Sequence, residues 1–150
     1  MYGAIVRRRV RGVFDLMNAG DWRAIGRTVS GDVRHVTWGS HPLGGERHSR
    51  AAFEAWLRRV LLLLPGLRFE VLRVASTGWP WNTWAVAEWT DRALLADGSL
   101  YQNAGVTWIN IRWGRVVELR EHMDTEAVAE ACRRAAASGV EDGVAAPLLD

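Results

Sequence analysis

The sequence contains no lysine, and all nineteen of its basic residues are arginines. This absence excludes chemistry that needs a lysine amine, such as a Schiff base, pyridoxal-phosphate attachment or a P-loop. The single cysteine, Cys132, excludes an intrachain disulfide and a cysteine-rich zinc site. Its alanine-rich, helical surroundings predict a buried, unreactive thiol.

Long apolar runs are also missing. The run at 60–64 is too short to cross a bilayer, and the N-terminus lacks the apolar region of a secretion signal. We therefore expect a cytoplasmic protein with no membrane partner. No two histidines have metal-ligand spacing on one element, and no glycine-rich nucleotide motif follows a strand. We expect neither a metal nor a cofactor.

The charge of the chain gives little reason to expect nucleic-acid binding. The formal net charge is only +2 at pH 7. The arginines of residues 7–11 are interspersed with Ile5, Val6, Val10 and Val13, which predicts the solvent face of a helix rather than a basic arm.

The length of 150 residues predicts one domain with a sizeable core. We place this domain at residues 1–137 and expect residues 138–150 to be a flexible tail. Nine tryptophans are many for this length, and they indicate a roomy aromatic interior or an interface.

Three alternating, aromatic and β-branched runs occupy residues 84–92, 101–112 and 115–124. Turns at Asp97-Gly98 and Trp113-Gly114 separate them. This pattern predicts an antiparallel meander of three strands.

The residues before and after the meander add helices and two further strands. We predict helices at residues 2–18, from Asp21, from Ser49 to 64 and from Asp124, and strands at 33–38 and 67–76. Helices grouped on one face of a sheet make an α+β domain. We expect a cone-shaped, curved antiparallel sheet closed by the N-terminal helices, with a ligand cavity at its wide end.

This pattern resembles the NTF2-like superfamily, in the branch that holds SnoaL-like, ketosteroid-isomerase-like and limonene-epoxide-hydrolase-like proteins. The resemblance covers residues 2–137 and implies an NTF2-like, cystatin-like roll. The motifs that carry it are Asn18–Asp21, Asp32-Val33, Pro42–Gly45, Glu88-Trp89, Tyr101–Asn103 and Gly114–Thr125.

The resemblance implies three chemistries that can be compared position by position. The acids and tyrosine of steroid isomerases fall on Val13, Thr37 and either Val106 or Thr107, so that activity is not expected. In limonene-epoxide-hydrolase-like enzymes the final aspartate falls on Glu121.

The other hydrolase positions match only in part. The residues that hold the water in those enzymes fall on His35 and Thr37, and their arginine has no counterpart here. SnoaL-like polyketide cyclases rely on one pocket aspartate, which is equivalent to Glu121.

Glu121 is also a candidate from its own surroundings. On a strand it shares a face with Val117 and Leu119, and lost hydration there would raise its pKa and make it a proton shuttle. The alternative is a glutamate at the rim, paired with Arg120 or Arg92.

Two further residues are candidates for catalysis. Asp91 shares a strand face with Trp89, so it meets Glu121 in the cavity if that face points inward; otherwise it is solvated near the hairpin end. His35 is in line with Val33 and Thr37, and it is either a proton carrier or a hydrogen-bonded core residue.

The remaining candidates would bind the substrate. Thr37 and Asn103 would orient a ligand or a water, although Asn103 is equally suited to anchoring a bulge at Gly105. The apolar lining is expected to come from Trp38, Trp56, Trp89, Trp108, Val117 and Leu119.

The sequence leaves two functions open. One is a cofactor-free enzyme doing acid/base chemistry on a small cyclic apolar molecule: cyclisation, dehydration, isomerisation or epoxide opening. The alternative is a non-catalytic module that binds a hydrophobic molecule or a protein. Both faces of the meander are apolar, so we also expect a homodimer with two-fold symmetry.

Overall fold

Four α-helices, six β-strands and a short 3₁₀ helix make up the computed structural model, which describes all residues, 1–150. In chain order they are α1 (Tyr2–Asn18), α2 (Trp22–Gly26), β1 (Val29–Thr37), β2 (Gly45–Arg47), α3 (Arg50–Leu63), β3 (Arg68–Trp79), β4 (Asn82–Leu94), β5 (Leu100–Arg112), β6 (Arg115–Met123), α4 (Thr125–Ala137) and the 3₁₀ helix (Glu141–Val144). No helix combines the length and the apolar character needed to cross a bilayer.

The predicted helix starts are confirmed. The side chains of Asp21, Ser49 and Asp124 each accept backbone N–H groups at the start of α2, α3 and α4. These contacts satisfy donors that have no partner inside a helix, which is why these residue types begin helices.

Some strand boundaries differ from the prediction. The first strand begins at Val29, because Val29 already pairs with Val116 of β6. The loop predicted at 39–45 ends in β2, which pairs with β1. β3 extends to Trp79, so that only residues 80–81 separate it from β4.

The strands form one unclosed sheet in the order β2-β1-β6-β5-β4-β3. The predicted meander is confirmed, and all neighbours are antiparallel except β1 and β6, which are parallel. Register shifts interrupt β1 before Arg34, β3 at Leu72 and β6 at Val117. Such bulges bend strands, which accounts for the predicted curvature of this α+β fold.

The two faces of the meander are now distinguished. Ala85, Ala87, Trp89 and Ile109 are buried against Val6, Val10 and Phe14 of α1. The alternate residues of the same strands, Trp84, Val86, Val106 and Trp108, are half-buried or exposed. The first set therefore faces the helices and the second forms the outer face of the sheet.

The C-terminal segment is packed against the domain, in contrast to the flexible tail expected for residues 138–150. Arg59 of α3 donates to the carbonyl of Ala146 at 2.8 Å and to Asp142 at 3.0 Å. Arg47 donates to the carbonyl of Leu148 at 2.9 Å. Composition alone indicated a tail because partners so distant in sequence leave no local pattern.

Candidate active site

A cavity of about 660 Å³ lies between the helices and the concave face of the sheet. Of its 36 lining residues 26 are hydrophobic, so the cavity is suited to an apolar ligand. Side chains from both ends of the chain contribute to it, including Phe14 of α1, Trp56 of α3 and Leu119 of β6.

The cavity has one open end. Its exposed lining residues all lie there, where α1, the α2–β1 connection and the β5–β6 turn meet; they are Ile5, Arg9, Arg27, Trp113, Gly114 and Arg115. The only acidic lining residues are Asp91 and Glu121. Glu121 is six residues along β6 from Arg115, roughly 20 Å from it at the usual strand rise. The carboxyl groups therefore occupy the inner end.

Asp91 is held in the cavity by β4, on the same face as Trp89. Its side chain is only 7% exposed, and its Oδ1 atom has no hydrogen-bond partner. Burial raises the pKa of Asp91 to about 7, the charge of Glu121 acts in the same direction, and the backbone N–H of Asn103 opposes both. Near neutral pH this carboxyl can therefore both donate and accept a proton.

Glu121 enters the cavity from β6, opposite Thr37 of β1 and Thr107 of β5. Its Oε1 atom is 3.5 Å from Nε2 of His35. The Thr37 hydroxyl is 3.4 Å from the same nitrogen. Glu121 is therefore not a rim residue paired with Arg120 or Arg92; its nearest charged or ionisable partner is a histidine.

The protonation of His35 is fixed by Arg47. The Arg47 Nε–H donates to His35 Nδ1 at 3.0 Å. A guanidinium has no acceptor, so Nδ1 must be unprotonated, and the proton of the neutral ring lies on Nε2, facing Glu121. Burial lowers the pKa of His35, as does the Arg47 charge, against the opposing effect of Glu121. Of the two roles that the sequence left open for His35, this arrangement favours a hydrogen-bonded core residue, which donates through Nε2, over a proton carrier.

Arg47 itself is completely buried. Its two terminal nitrogens donate to four oxygens at 2.9–3.2 Å: the carbonyls of Gly44, Gly45 and Leu148 and the hydroxyl of Thr37. Burial lowers the pKa of Arg47 to about 10, and the charges of Glu121 and Asp150 oppose that effect. The side chain remains a cation at neutral pH and supports both His35 and Thr37.

Tyr101 is a third ionisable residue at the inner end of the cavity, in addition to Asp91 and Glu121. Tyr101 lines the cavity, and its oxygen accepts a hydrogen bond from the Asn103 amide at 3.1 Å. The same amide group donates to the carbonyl of Asp124 at 2.9 Å. Burial raises the pKa of Tyr101, with a further contribution from the charge of Asp91. Asn103, predicted to touch the substrate, instead positions Tyr101 from behind.

Two of the predicted tryptophans line the cavity with their N–H groups satisfied elsewhere. The Trp89 indole donates to the Thr107 hydroxyl at 2.9 Å, and the Trp56 indole donates to the Leu43 carbonyl at 2.8 Å. Both rings can therefore present apolar surface to a ligand.

Comparison with known proteins now gives the family. The SnoaL-like domain family matches residues 10–119, which is most of the chain. The chain belongs to the SnoaL-like family. No curated protein sequence matches it.

Solved structures confirm that this SnoaL-like chain has the NTF2-like fold. An NTF2-like protein of unknown function from Burkholderia pseudomallei K96243 is 20% identical, with a TM-score of 0.73 over 83% of this chain and 94% of that one. Bal32a, from a soil-derived mobile gene cassette, is 21% identical, with a TM-score of 0.70 over 81% and 91%. TerC, co-crystallized with polyporic acid, is 19% identical, with a TM-score of 0.65 over 81% and 93%.

Besides Asn103, three residues predicted to bind substrate lie outside the cavity of this SnoaL-like domain. Trp38 follows the end of β1 and is 52% exposed, beside His122. Trp108 is 44% exposed on the outer face, because it pairs with Val86 rather than with Trp89. Val117 lies at the bulge of β6, which turns Val116 into the cavity in its place.

Sequence reasoning missed three polar residues at the inner end. Thr107 and Tyr101 have the strand parity of Ile109, which identifies them once that face is known to point inward. Arg47 gave no signal, because a three-residue strand in a glycine-rich loop has no readable periodicity. Elsewhere, no cluster of three or more histidine, cysteine, aspartate or glutamate side chains is arranged to hold a metal ion.

The arrangement around His35 predicts one tautomer. We expect ¹⁵N NMR of the imidazole to show an unprotonated Nδ1 and a protonated Nε2 at pH 6.5, where an ordinary histidine is half charged. The reason is that burial and Arg47 both oppose the imidazolium. An imidazolium signal from His35 at that pH would contradict the assignment; His35→Gln identifies the resonance.

Asp91 predicts a pH-dependent stability. Its pKa rises from 3.8 to about 7 on folding, so the folded state binds the proton more tightly and loses stability as pH increases through this window. The loss is about 1.4 kcal/mol per pH unit at most. Asp91→Asn removes this pH dependence. Urea unfolding between pH 4.5 and 7.5 should therefore show that the free energy of unfolding of the variant rises relative to that of the wild type as the pH increases. Parallel stability curves would exclude the raised pKa.

Proposed function

We propose that this SnoaL-like protein is an enzyme that moves a proton on a small cyclic, apolar substrate, with Asp91 and Glu121 as its acid/base pair. The observation that carries the proposal is the unpartnered, buried carboxyl of Asp91 in an apolar cavity. An unpaired polar group in such a place costs stability, and perturbed carboxyl groups of this kind are typical of catalytic sites.

The two carboxyl groups suit opposite halves of a proton transfer. Glu121 as carboxylate removes a proton from a carbon next to a substrate carbonyl, while Asp91 as carboxylic acid gives a proton to another position of the same molecule. The pKa of Asp91, about 7, matches an acid that works near neutral pH. Each transfer leaves Glu121 protonated and Asp91 ionised, and proton exchange with solvent returns both groups to their starting states.

The neighbouring residues have supporting roles in this scheme. His35 orients Glu121 through its Nε2–H, and Arg47 fixes the His35 ring. The Tyr101 oxygen already accepts from Asn103, which leaves its own O–H free to donate to a substrate oxygen. Such a donor stabilises the negative charge that develops on an enolate oxygen.

Cyclisation, dehydration, isomerisation and epoxide opening all fit one positioned proton shuttle. The matching positions Val13, Thr37 and either Val106 or Thr107 carry no acid, so steroid isomerase activity is not expected. TerC, which has the same fold, was co-crystallized with polyporic acid, which supports a small organic ligand here. A pure binding module would need only shape, and the convergence of Asp91, Glu121 and Tyr101 disfavours that alternative.

Glu121→Gln and Asp91→Asn should each slow proton transfer by about 10²–10⁴-fold, the usual effect of losing a general acid or base. NMR measures this directly as deuterium incorporation from D₂O into the α-carbon of cyclic ketones screened as substrates. Gln keeps an oxygen for His35 to donate to, so Glu121→Gln should remain folded.

Glu118→Gln is the matched control. Glu118 lies on the same strand but outside the cavity, where it pairs with Arg34 and Arg120. Its loss should leave the exchange rate unchanged. A Glu121→Gln variant that is less stable but fully active would show that Glu121 is a structural residue.

We also propose that the outer face of the sheet forms a homodimer. Trp84, Val86, Val106 and Trp108 form an apolar patch there, and Trp108 remains 44% exposed. Light scattering at micromolar concentration should give twice the chain mass for the wild type and the chain mass for Trp108→Arg. A monomeric wild type would exclude the dimer.

A further inference from the structure

Three arginines surround the mouth of the cavity. Arg9 comes from α1, Arg27 from the connection between α2 and β1, and Arg115 from the first position of β6. The Arg115 Nη1–H donates to the Arg27 carbonyl at 3.2 Å. A terminal nitrogen of Arg9 approaches Gly114 closely, within 3.4 Å of where a Cβ would stand. Three separate parts of the chain therefore bring arginines to one opening.

None of the three guanidinium groups has a carboxylate within 4.0 Å, although six other arginines of the chain make such ion pairs. Protein surfaces usually carry positive and negative side chains interspersed with one another. Among the exposed residues that line the opening there is no acid at all. The positive charge at the mouth is therefore free to act on a ligand.

The charge along the cavity changes sign from one end to the other. The arginines lie at the mouth, the middle is apolar, and Asp91 and Glu121 lie at the inner end. Along β6, Arg115 at the mouth and Glu121 at the inner end are about 20 Å apart. An anionic group is attracted to the first end and repelled by the second. A bound molecule with one anionic end therefore has a single favoured orientation.

A tryptophan at the same opening supports a ligand site. Trp113 has φ of 49° and, with Gly114 at 79°, forms the β5–β6 turn. Such turns need positive φ at both positions and usually contain Asn, Asp or Gly there. A tryptophan in this conformation is strained, yet Trp113 is 73% exposed; it lines the same opening as the arginines, with its ring centroid 6.4 Å from that of Trp81. It offers an aromatic surface at the entrance.

We propose that the substrate is an amphipathic organic anion: besides the cyclic, apolar body of the proposed function it carries a carboxylate or similar oxyanion, which Arg9, Arg27 and Arg115 bind at the mouth. Guanidinium groups bind such oxyanions through two parallel hydrogen bonds, which a neutral group of the same size cannot reproduce. The apolar body of the molecule fills the cavity, and its reactive end reaches Asp91 and Glu121. The reaction at Asp91 and Glu121 rests on the proposed function, whereas the binding of the anion by the arginines does not.

Two fluorescent probes with the same rings separate charge from shape. 1-Anilinonaphthalene-8-sulfonate carries an oxyanion, and N-phenyl-1-naphthylamine lacks it. The wild type should bind the sulfonate about tenfold or more tightly than the neutral probe, with a preference that shrinks at high salt. Arg9→Gln, Arg27→Gln and Arg115→Gln should each weaken sulfonate binding several-fold and leave the neutral probe unchanged.

Arg8→Gln is the matched control, because Arg8 is an exposed neighbour of Arg9 on α1 that does not line the cavity. It removes the same charge and should leave the binding of both probes unchanged. Equal affinity of the two probes would overturn the proposal. So would an equal loss with Arg8→Gln, or failure of both probes to bind.

The result is independent of the catalytic proposal. Asp91→Asn and Glu121→Gln should still prefer the sulfonate probe, even though they slow proton exchange. A protein that binds the sulfonate through its arginines but shows no carboxyl-dependent exchange would keep the anion site and remove the acid/base function. A protein that shows carboxyl-dependent proton exchange but no arginine-dependent preference for the sulfonate probe would keep the acid/base function and remove the anion site.

Discussion

The buried guanidinium of Arg47 determines how the polar end of the cavity is built. A cation without water is unstable unless oxygens surround it, so the turn before β2, Thr37 and the C-terminal segment all direct oxygens at it. The same group holds one nitrogen of His35 and so decides which way that ring donates. Glu121 lies at the end of this chain of contacts, 3.5 Å from His35, although Arg47 does not line the cavity.

Asp91 is the opposite case, because nothing in the protein compensates its burial fully. Its Oδ1 atom has no partner, and the nearby charge of Glu121 makes its ionisation harder. Structural carboxyl groups are normally paired, whereas a group that is to exchange protons must keep a free lone pair. The apolar cavity therefore supplies the raised pKa that a solvated aspartate on the same strand would lack.

Sequence reasoning succeeded where strands are regular and failed where they are not. The ladder between β4 and β5 has no register shift, so alternation correctly grouped Asp91 with Trp89. The bulge at Val117 broke the same rule on β6, and Trp38 lies beyond the end of β1, where alternation no longer applies. Arg47 and the contacts of the C-terminal segment depend on partners far along the chain, which no local pattern records.

The parallel pairing of β1 with β6 has a consequence for how the protein folds. Arg34 and Glu118, which meet across this pair, are 84 residues apart in sequence. Closing so long a loop is entropically costly, and non-local strand pairs of this kind slow folding. Until β6 is synthesised, β1 and β2 have no central neighbour, and the apolar side of α3 has little sheet to cover. We therefore expect the inner end of the cavity to be among the last parts of the chain to become ordered.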